Sequence, residues 1–346
     1  MQSPKYKLST RIKEYCAEIA DNPDLVQGPG GNISWKDNNT LYIKASGKWL
    51  ADAKKEEIFV SVDLLDLNEK ISSKLFAEKA RVIDQSDLRP SIETMLHALL
   101  PHKIVLHLHA VEILALLIRK NPFKDIKKFV DPSIKWIFVE YYKPGDILAE
   151  KISMQYQKRV DIDCIFLKNH GVVIGGDSIE RVDWILKKLI LVLKSNLYVF
   201  EKDIKNNTLK HDFSIPGYSL SGDRKLNLLA TNRTLIKRLK EDWALYPDHI
   251  VFLGAQACII EKDEDLSIYN KDHPYPCFIF VLGVGVYESE SISKAQQAQL
   301  NCYFNVVSRQ KPSEKLTSLN EIEVTDLLNW DAEKYRQNFS SVKIKK

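Results

Sequence analysis

Residues 104–110 read Ile104-Val-Leu-His-Leu-His-Ala110, and this stretch decides how the rest of the chain is read. Its apolar residues and short length predict a β-strand, and a strand sends residues i and i+2 to the same face. His107 and His109 therefore project together, while Ile104, Leu106 and Leu108 turn to a core. Two imidazoles on one strand face either form a polar, solvated edge or chelate one metal ion at ordinary N–metal distances. The pair alone leaves both readings open. A third histidine shifts the balance. Asn169-His170-Gly171 sits between two apolar stretches, residues 162–168 and 172–174, and Gly171 permits a sharp turn that leaves His170 projecting from a strand end. His107, His109 and His170 together form a ligand set with one or two coordination positions open. Such a set suits Zn2+, with Mn2+, Co2+ or Fe2+ as alternatives.

Outward from this strand the pattern alternates. Helical periodicity covers residues 9–22, followed by a glycine turn at 28–31 and a hairpin tip at 37–40. Strands are expected at 40–46, 57–62 and 135–142, and helices at 90–100, at 111–120 and after Pro144. A long helix capped by Asp177 or Ser178 runs to about Phe200. Strands alternating with helices predict a layered α/β domain over residues 1–205. A polar, turn-rich linker follows at 206–217, then a smaller α/β region at 218–346. That region should hold helices at 223–230, 233–244, 291–308 and 322–329, with apolar strands at 250–253 and 277–282.

Composition sets the outer limits. The chain has 346 residues, 45% hydrophobic and 28% charged, which excludes wholesale disorder and collagen-like structure. No apolar run approaches the ~18 residues a membrane span requires. The N-terminus has no apolar core of a secretory signal. Five cysteines, odd in number and never in CxxC spacing, read as reduced thiols of a cytoplasmic protein. A net charge of +4 without a basic run favours anionic metabolites and no nucleic-acid partner.

Five further segments come into question for chemistry. Glu93, in Arg89-Pro-Ser-Ile-Glu-Thr-Met-Leu-His97, falls near the start of a helix opened by Pro90. There it is either a solvated residue favoured by the helix dipole or a carboxylate of the histidine site. His97, one turn later, reads as a core histidine and His102 as an exposed turn residue. Gly28-Pro-Gly-Gly-Asn-Ile-Ser34 matches no nucleotide-binding loop, yet its glycines bring backbone N–H groups near an anion, with Asn32 and Ser34 as added donors. Ser46-Gly47 offers a second such turn. Pro247-Asp248-His249 and Asp272-His273-Pro274 read as loop-to-strand punctuation.

Taken in order, Gly30-Gly31-Asn32-Ile33-Ser34, Lys44-Ala45-Ser46-Gly47, Pro90-Ser91-Ile92-Glu93, His107-Leu108-His109 and Asn169-His170-Gly171 resemble the class II aldolase/adducin family. Residues 247–254, 281–285 and the helix after Ser291 are similar to the longer members, notably the aldolase half of bifunctional rhamnulose-phosphate aldolase/short-chain dehydrogenase proteins. The resemblance implies a layered α/β/α fold with a central, mostly antiparallel sheet. It implies Zn2+ on His107, His109 and His170, Glu93 as the acid/base, and Tyr141, with Tyr142 as its competitor, as proton donor. Asn32, Ser46, Gly47 and Ser91 would contact the substrate phosphate. Ile92 departs from the family pattern, which often has a second serine there. The implied activity is a lyase that cleaves a ketose 1-phosphate or related sugar acid by retro-aldol chemistry through a zinc-stabilised enediolate. An epimerase, a dehydratase and a non-catalytic adducin-like module are the alternatives on this fold. A homo-oligomer, by resemblance a tetramer, is implied as well.

Overall fold

A computed structural model describes residues 4–156, 161–200, 214–261 and 276–340. Residues 206–213, most of the expected linker, and Asp272-His273-Pro274 lie outside the described residues.

A seven-stranded sheet dominates. Its strands are β1 (Asn32–Asp37), β2 (Thr40–Lys44), β3 (Phe59–Asp63), β4 (Ile104–Leu108), β5 (Trp136–Val139), β6 (Cys164–Leu167) and β7 (Gly171–Gly176). They lie in the order β3-β2-β1-β4-β7-β6-β5. Each neighbouring pair is antiparallel except the parallel pair β5–β6. The histidine strand β4 is thus central, and both of its faces are covered. Ile104, Leu106 and Leu108 enter a core shared with Ile12, Cys16, Val182 and Ile185, which come from helices Pro4–Ala20 and Ile179–Asn196. Val105 enters a second core with Leu67, Leu96 and Ile152, from helices Leu64–Ser72, Thr94–Leu99 and Asp146–Tyr156. Helices on both faces make this an α/β/α layered unit, as the alternating pattern predicts.

Local signals place the elements. Asp37 pairs with Thr40 across the hairpin, where Asn38 takes a positive φ of 50°. Ser178 caps the long helix by accepting from the Arg181 amide. The expected helix start at Pro90 is corrected: Pro90 bridges Ala45, the helix begins at Thr94, and Glu93 sits at its N-cap.

A second sheet of order β8-β11-β10-β9 holds β8 (Tyr218–Leu220), β9 (Cys258–Ile260), β10 (Phe278–Val281) and β11 (Gly285–Ser289). The strand expected at 250–253 is instead the end of helix Pro247–Leu253. A short apolar run fits either element by periodicity. Pro247 at the first helical position and Gly254 beyond the last, at φ 90°, settle it as a helix. Helix Lys294–Ser308 carries a capping box between Ser293 and Gln296. A further helix, Asp331–Ser340, has a polar sequence with no apolar periodicity to announce it. The two sheets do not have wholly separate interiors. Val111, Leu114, Ala115 and Ile118 pack with Leu226, Tyr246, Leu300 and Tyr303 in a third core. All five cysteines are free thiols. Among the described residues no helix is long and apolar enough to cross a membrane.

His249 is fully buried among Trp243, Tyr246 and Tyr303, and burial pushes its imidazole down to about 3. A histidine in an unfolded chain titrates near ~6.5. Between those values the unfolded chain binds a proton that the folded chain refuses, so stability falls as pH drops through that window and levels off below it. Urea unfolding between about pH 7 and pH 4 should therefore show a smaller loss of stability in His249→Phe than in the parent chain. Equal losses would remove His249 from the acid response.

Candidate metal centre

The three histidines meet at the C-terminal end of β4 and the start of β7. Asn32 pairs with His107 across β1 and β4, and Leu108 pairs with Val172 across β4 and β7, so register alone brings the pieces together. Asn169, with a positive φ of 51°, makes the turn ahead of His170 and donates its amide to the carbonyls of Leu245 and Thr317. The turn was expected to rest on Gly171; that glycine serves close approach instead. A Cβ there would collide with the Leu108 carbonyl and lie 3.0 Å from Cδ2 of His109.

His107, His109 and His170 are all buried, and a ligand nitrogen from each lies within 4.8 Å of the others. The solvated-edge reading of the pair is thereby excluded. Nδ1 of His107 faces the Val172 carbonyl at 3.1 Å and Nδ1 of His109 faces Oδ2 of Asp248 at 2.9 Å. Both partners are acceptors, so both Nδ1 atoms carry the hydrogen. The two Nε2 atoms, 3.0 Å apart, then direct lone pairs at each other, an arrangement that a cation between them resolves. Burial favours the neutral form of His107, pushed down to about 4, and of His170, pushed down to about 3. Neutral imidazole is the ligating form, and the group can hold a divalent metal.

Glu93 faces this group. Its Oε2 lies 3.4 Å from Nε2 of His107 and its Oε1 3.6 Å from Nε2 of His170. The side chain is buried, which works to raise its carboxyl; His107, His170 and the Asn32 amide outweigh this and hold it below the usual range. Nδ2 of Asn32 donates to Oε2 at 2.8 Å, and Oε1 has no hydrogen-bond partner among the described residues.

A cavity beside the triad is lined by Asn32, Ser46, Gly47, Ser91, Glu93, His109 and His170. The structure thus brings together every expected site residue except Tyr141. His107 lies directly behind, in contact with His109. Tyr141 is absent from the lining; its hydroxyl is buried without a partner among the described residues, against the core that contains Leu319 and Leu327. Within the expected anion cradle, Ser34 turns away to pair with Nδ1 of His97 at 2.8 Å, and that histidine is a core residue as read. His102 is half-buried beside Gly175 rather than fully exposed.

Four lining residues escape a sequence reading: Lys44, Asp248, Glu333 and Arg336. Lys44 ends an alternating strand and looks like its solvent face, but Nζ turns inward to the carbonyls of Pro29, at 3.1 Å, and Lys48, at 2.6 Å. Burial pushes its ammonium down to about 7. Asp248 lies in the Pro-Asp-His segment read as punctuation. Burial works to raise its carboxyl, but Arg336 and His109 hold it well below the usual range. Glu333 and Arg336 belong to the unannounced helix Asp331–Ser340.

Comparison with known proteins bears on the same residues. A family profile described as "Class II Aldolase and Adducin N-terminal domain" matches residues 10–189. An L-fuculose phosphate aldolase of Methanococcus maripaludis is 28% identical over 174 residues, which is 50% of this chain and 86% of that protein. The uncharacterized oxidoreductase YuxG of Bacillus subtilis is 29% identical over 167 residues, 44% of this chain but 24% of that longer protein. Among solved structures, the N-terminal class II aldolase domain of a conserved Thermoplasma acidophilum protein aligns with a TM-score of 0.46 at 27% identity. That alignment covers 54% of this chain and 91% of that one.

The approach of Gly171 to β4 is testable. Gly171→Ala should destabilise the chain by about 1–3 kcal/mol through overpacking and weaken divalent-metal binding by shifting His109. Gly222→Ala, where an added Cβ meets nothing within 4 Å, should leave both unchanged. Chemical denaturation and metal titration of the two variants distinguish these outcomes.

Proposed function

We propose a function from one premise: this chain belongs to the class II aldolase and adducin family. It is a metal-dependent lyase that cleaves a ketose 1-phosphate, or a related sugar acid, by retro-aldol chemistry. One observation carries this reading: a buried carboxylate stands 3.4 and 3.6 Å from two of three imidazoles able to share a metal. Acid/base and metal chemistry are thereby available at one point in space.

Zinc, when bound by His107, His109 and His170, supplies Lewis acidity to the substrate's carbonyl and neighbouring hydroxyl oxygens. The remaining tasks fall to side chains. Cleavage breaks a C–C bond, removes the proton of the hydroxyl that becomes the aldehyde, and leaves an electron pair on the carbon beside the carbonyl. That carbon must then gain a proton. Glu93 would carry it, its carboxylate first taking up a proton from solvent through the cavity: Asn32 holds Oε2, and Oε1, without a hydrogen-bond partner among the described residues, exchanges that proton with substrate. Asn32 is therefore chiefly the orienting partner of Glu93 in this reading. Ser46, Gly47 and Ser91 face the anionic end of the substrate, and buried Lys44 ties the Pro29 and Lys48 loops around that end. Glu333 is the lining carboxyl not engaged with a histidine, and burial raises it so that it can hold a proton closer to neutrality. It takes the aldehyde-end proton, because Tyr141 stands outside the lining. The chain acts in the cytoplasm as a homo-oligomer in this reading.

The test is a panel of ketose 1-phosphates and sugar acids incubated with the zinc-loaded chain, with aldehyde products assayed. Glu93→Gln should reduce turnover by about 10^2–10^4-fold while zinc content stays at the parent level. Parent-level turnover in that variant would remove Glu93 from the reaction. A zinc-loaded parent chain that cleaves no member of the panel would overturn the lyase reading.

A further inference from the structure

Several segments of the C-terminal half converge on the outer side of His109. Asp248, 1% exposed in the first turn of helix Pro247–Leu253, accepts from Nδ1 of His109 at 2.9 Å. Arg336, from helix Asp331–Ser340, clamps the same carboxylate with both arms of its guanidinium, Nη1 to Oδ1 at 2.6 Å and Nη2 to Oδ2 at 2.9 Å. Gln299, from helix Lys294–Ser308, donates to Oδ2 at 3.4 Å. The N-terminal half is shaped to admit this carboxylate: a Cβ on Gly30 would stand 2.9 Å from Oδ2 and 3.5 Å from Nδ1 of His109.

The three imidazoles consequently have three different outer partners. His107 has a neutral carbonyl, His109 a carboxylate, and Nδ1 of His170 no partner among the described residues. An anionic acceptor on Nδ1–H fixes the tautomer, locks the ring and makes Nε2 a stronger base, whereas a carbonyl does this more weakly. A two-armed guanidinium clamp fixes the carboxylate in turn, with a geometry that a lysine cannot reproduce.

We infer that Asp248 and Arg336 are positioning residues of the metal centre, Asp248 holding the proton of His109 on Nδ1 so that Nε2 faces the metal, and Arg336 holding Asp248. Residues 218–346 on this view complete the metal centre. The inference rests on the reading of the three histidines as a divalent-metal site, but not on the reaction catalysed there.

The experiment measures Zn2+ affinity of the full chain by competition with a chromophoric chelator, and the visible spectrum of the Co2+-loaded form. Asp248→Asn preserves shape and removes the charge; it should weaken Zn2+ binding by about 10–100-fold and change the Co2+ spectrum. Arg336→Lys keeps a charge but loses the clamp, and should shift both readouts in the same direction by less. Arg309→Lys serves as control, because Arg309 pairs with Asp24 and Glu112 away from the cavity, and should leave both readouts unchanged. If Asp248→Asn does not fold, Arg336→Lys carries the test. Parent-level Zn2+ affinity and an unchanged Co2+ spectrum in a folded Asp248→Asn chain would overturn the inference, as would equal losses in Arg309→Lys. A parent chain that binds Zn2+ tightly but cleaves no substrate overturns the lyase reading and leaves this one standing.

Discussion

Glu93 is 4% exposed and faces the imidazoles of His107 and His170. An ionised carboxylate at such a place loses several kcal/mol of hydration, which the two imidazoles and the Asn32 amide outweigh, holding the carboxyl below its usual range. The sheet register, the glycines and the second half of the chain all bear on how this charge is held. Asn32 reaches Glu93 because β1 pairs with β4 in a register that sets Asn32 beside His107. Gly171 lets β7 begin against the Leu108 carbonyl, and Gly30 leaves room for Asp248. The cavity wall carries three carboxyl groups, Glu93, Asp248 and Glu333, against two cationic side chains, Lys44 and Arg336. A divalent cation held by His107, His109 and His170 would offset that excess of negative charge.

Signals for the inner part of this arrangement are short-range, and they are legible in the sequence. Alternation around His107, the turn at Asn169 and the two glycine turns each specify a local geometry. Two of those geometries, the alternation on β4 and the turn that leads into β7, make the ligand set. Errors arise where a local signal has two physical solutions. Residues 250–253 fit strand or helix by apolarity, and Pro247 with Gly254 decided it. Pro90 is as compatible with an extended bridge to Ala45 as with a first helical turn.

The outer part is long-range and leaves little trace. His109 and Asp248 are separated by 139 residues, and Asp248 and Arg336 by 88. Nothing in the composition of either neighbourhood distinguishes these residues from ordinary polar ones. Helix Asp331–Ser340 buries a carboxylate and half-buries a guanidinium instead of presenting an apolar stripe, so the periodicity that reveals most helices is missing. Lys44 is hidden by the rule that long charged side chains lie outward; here three backbone carbonyls solvate its ammonium in place of water. Tyr141, whose role the resemblance alone implies, packs against the core of the second half and lies outside the cavity lining.

Helix Val111–Leu117 directs Ile113, Leu116 and Leu117 to the core beneath the large sheet, and Val111, Leu114 and Ala115 to the core of the second half. One seven-residue element thus serves as interior for both, with no solvent face of its own. Unfolding of either half would strip it of one side of its packing, so the stability of each half depends on the other. A chain shortened to the first half would carry an uncovered apolar stripe directly downstream of His109, and association through that stripe would compete with its correct folding.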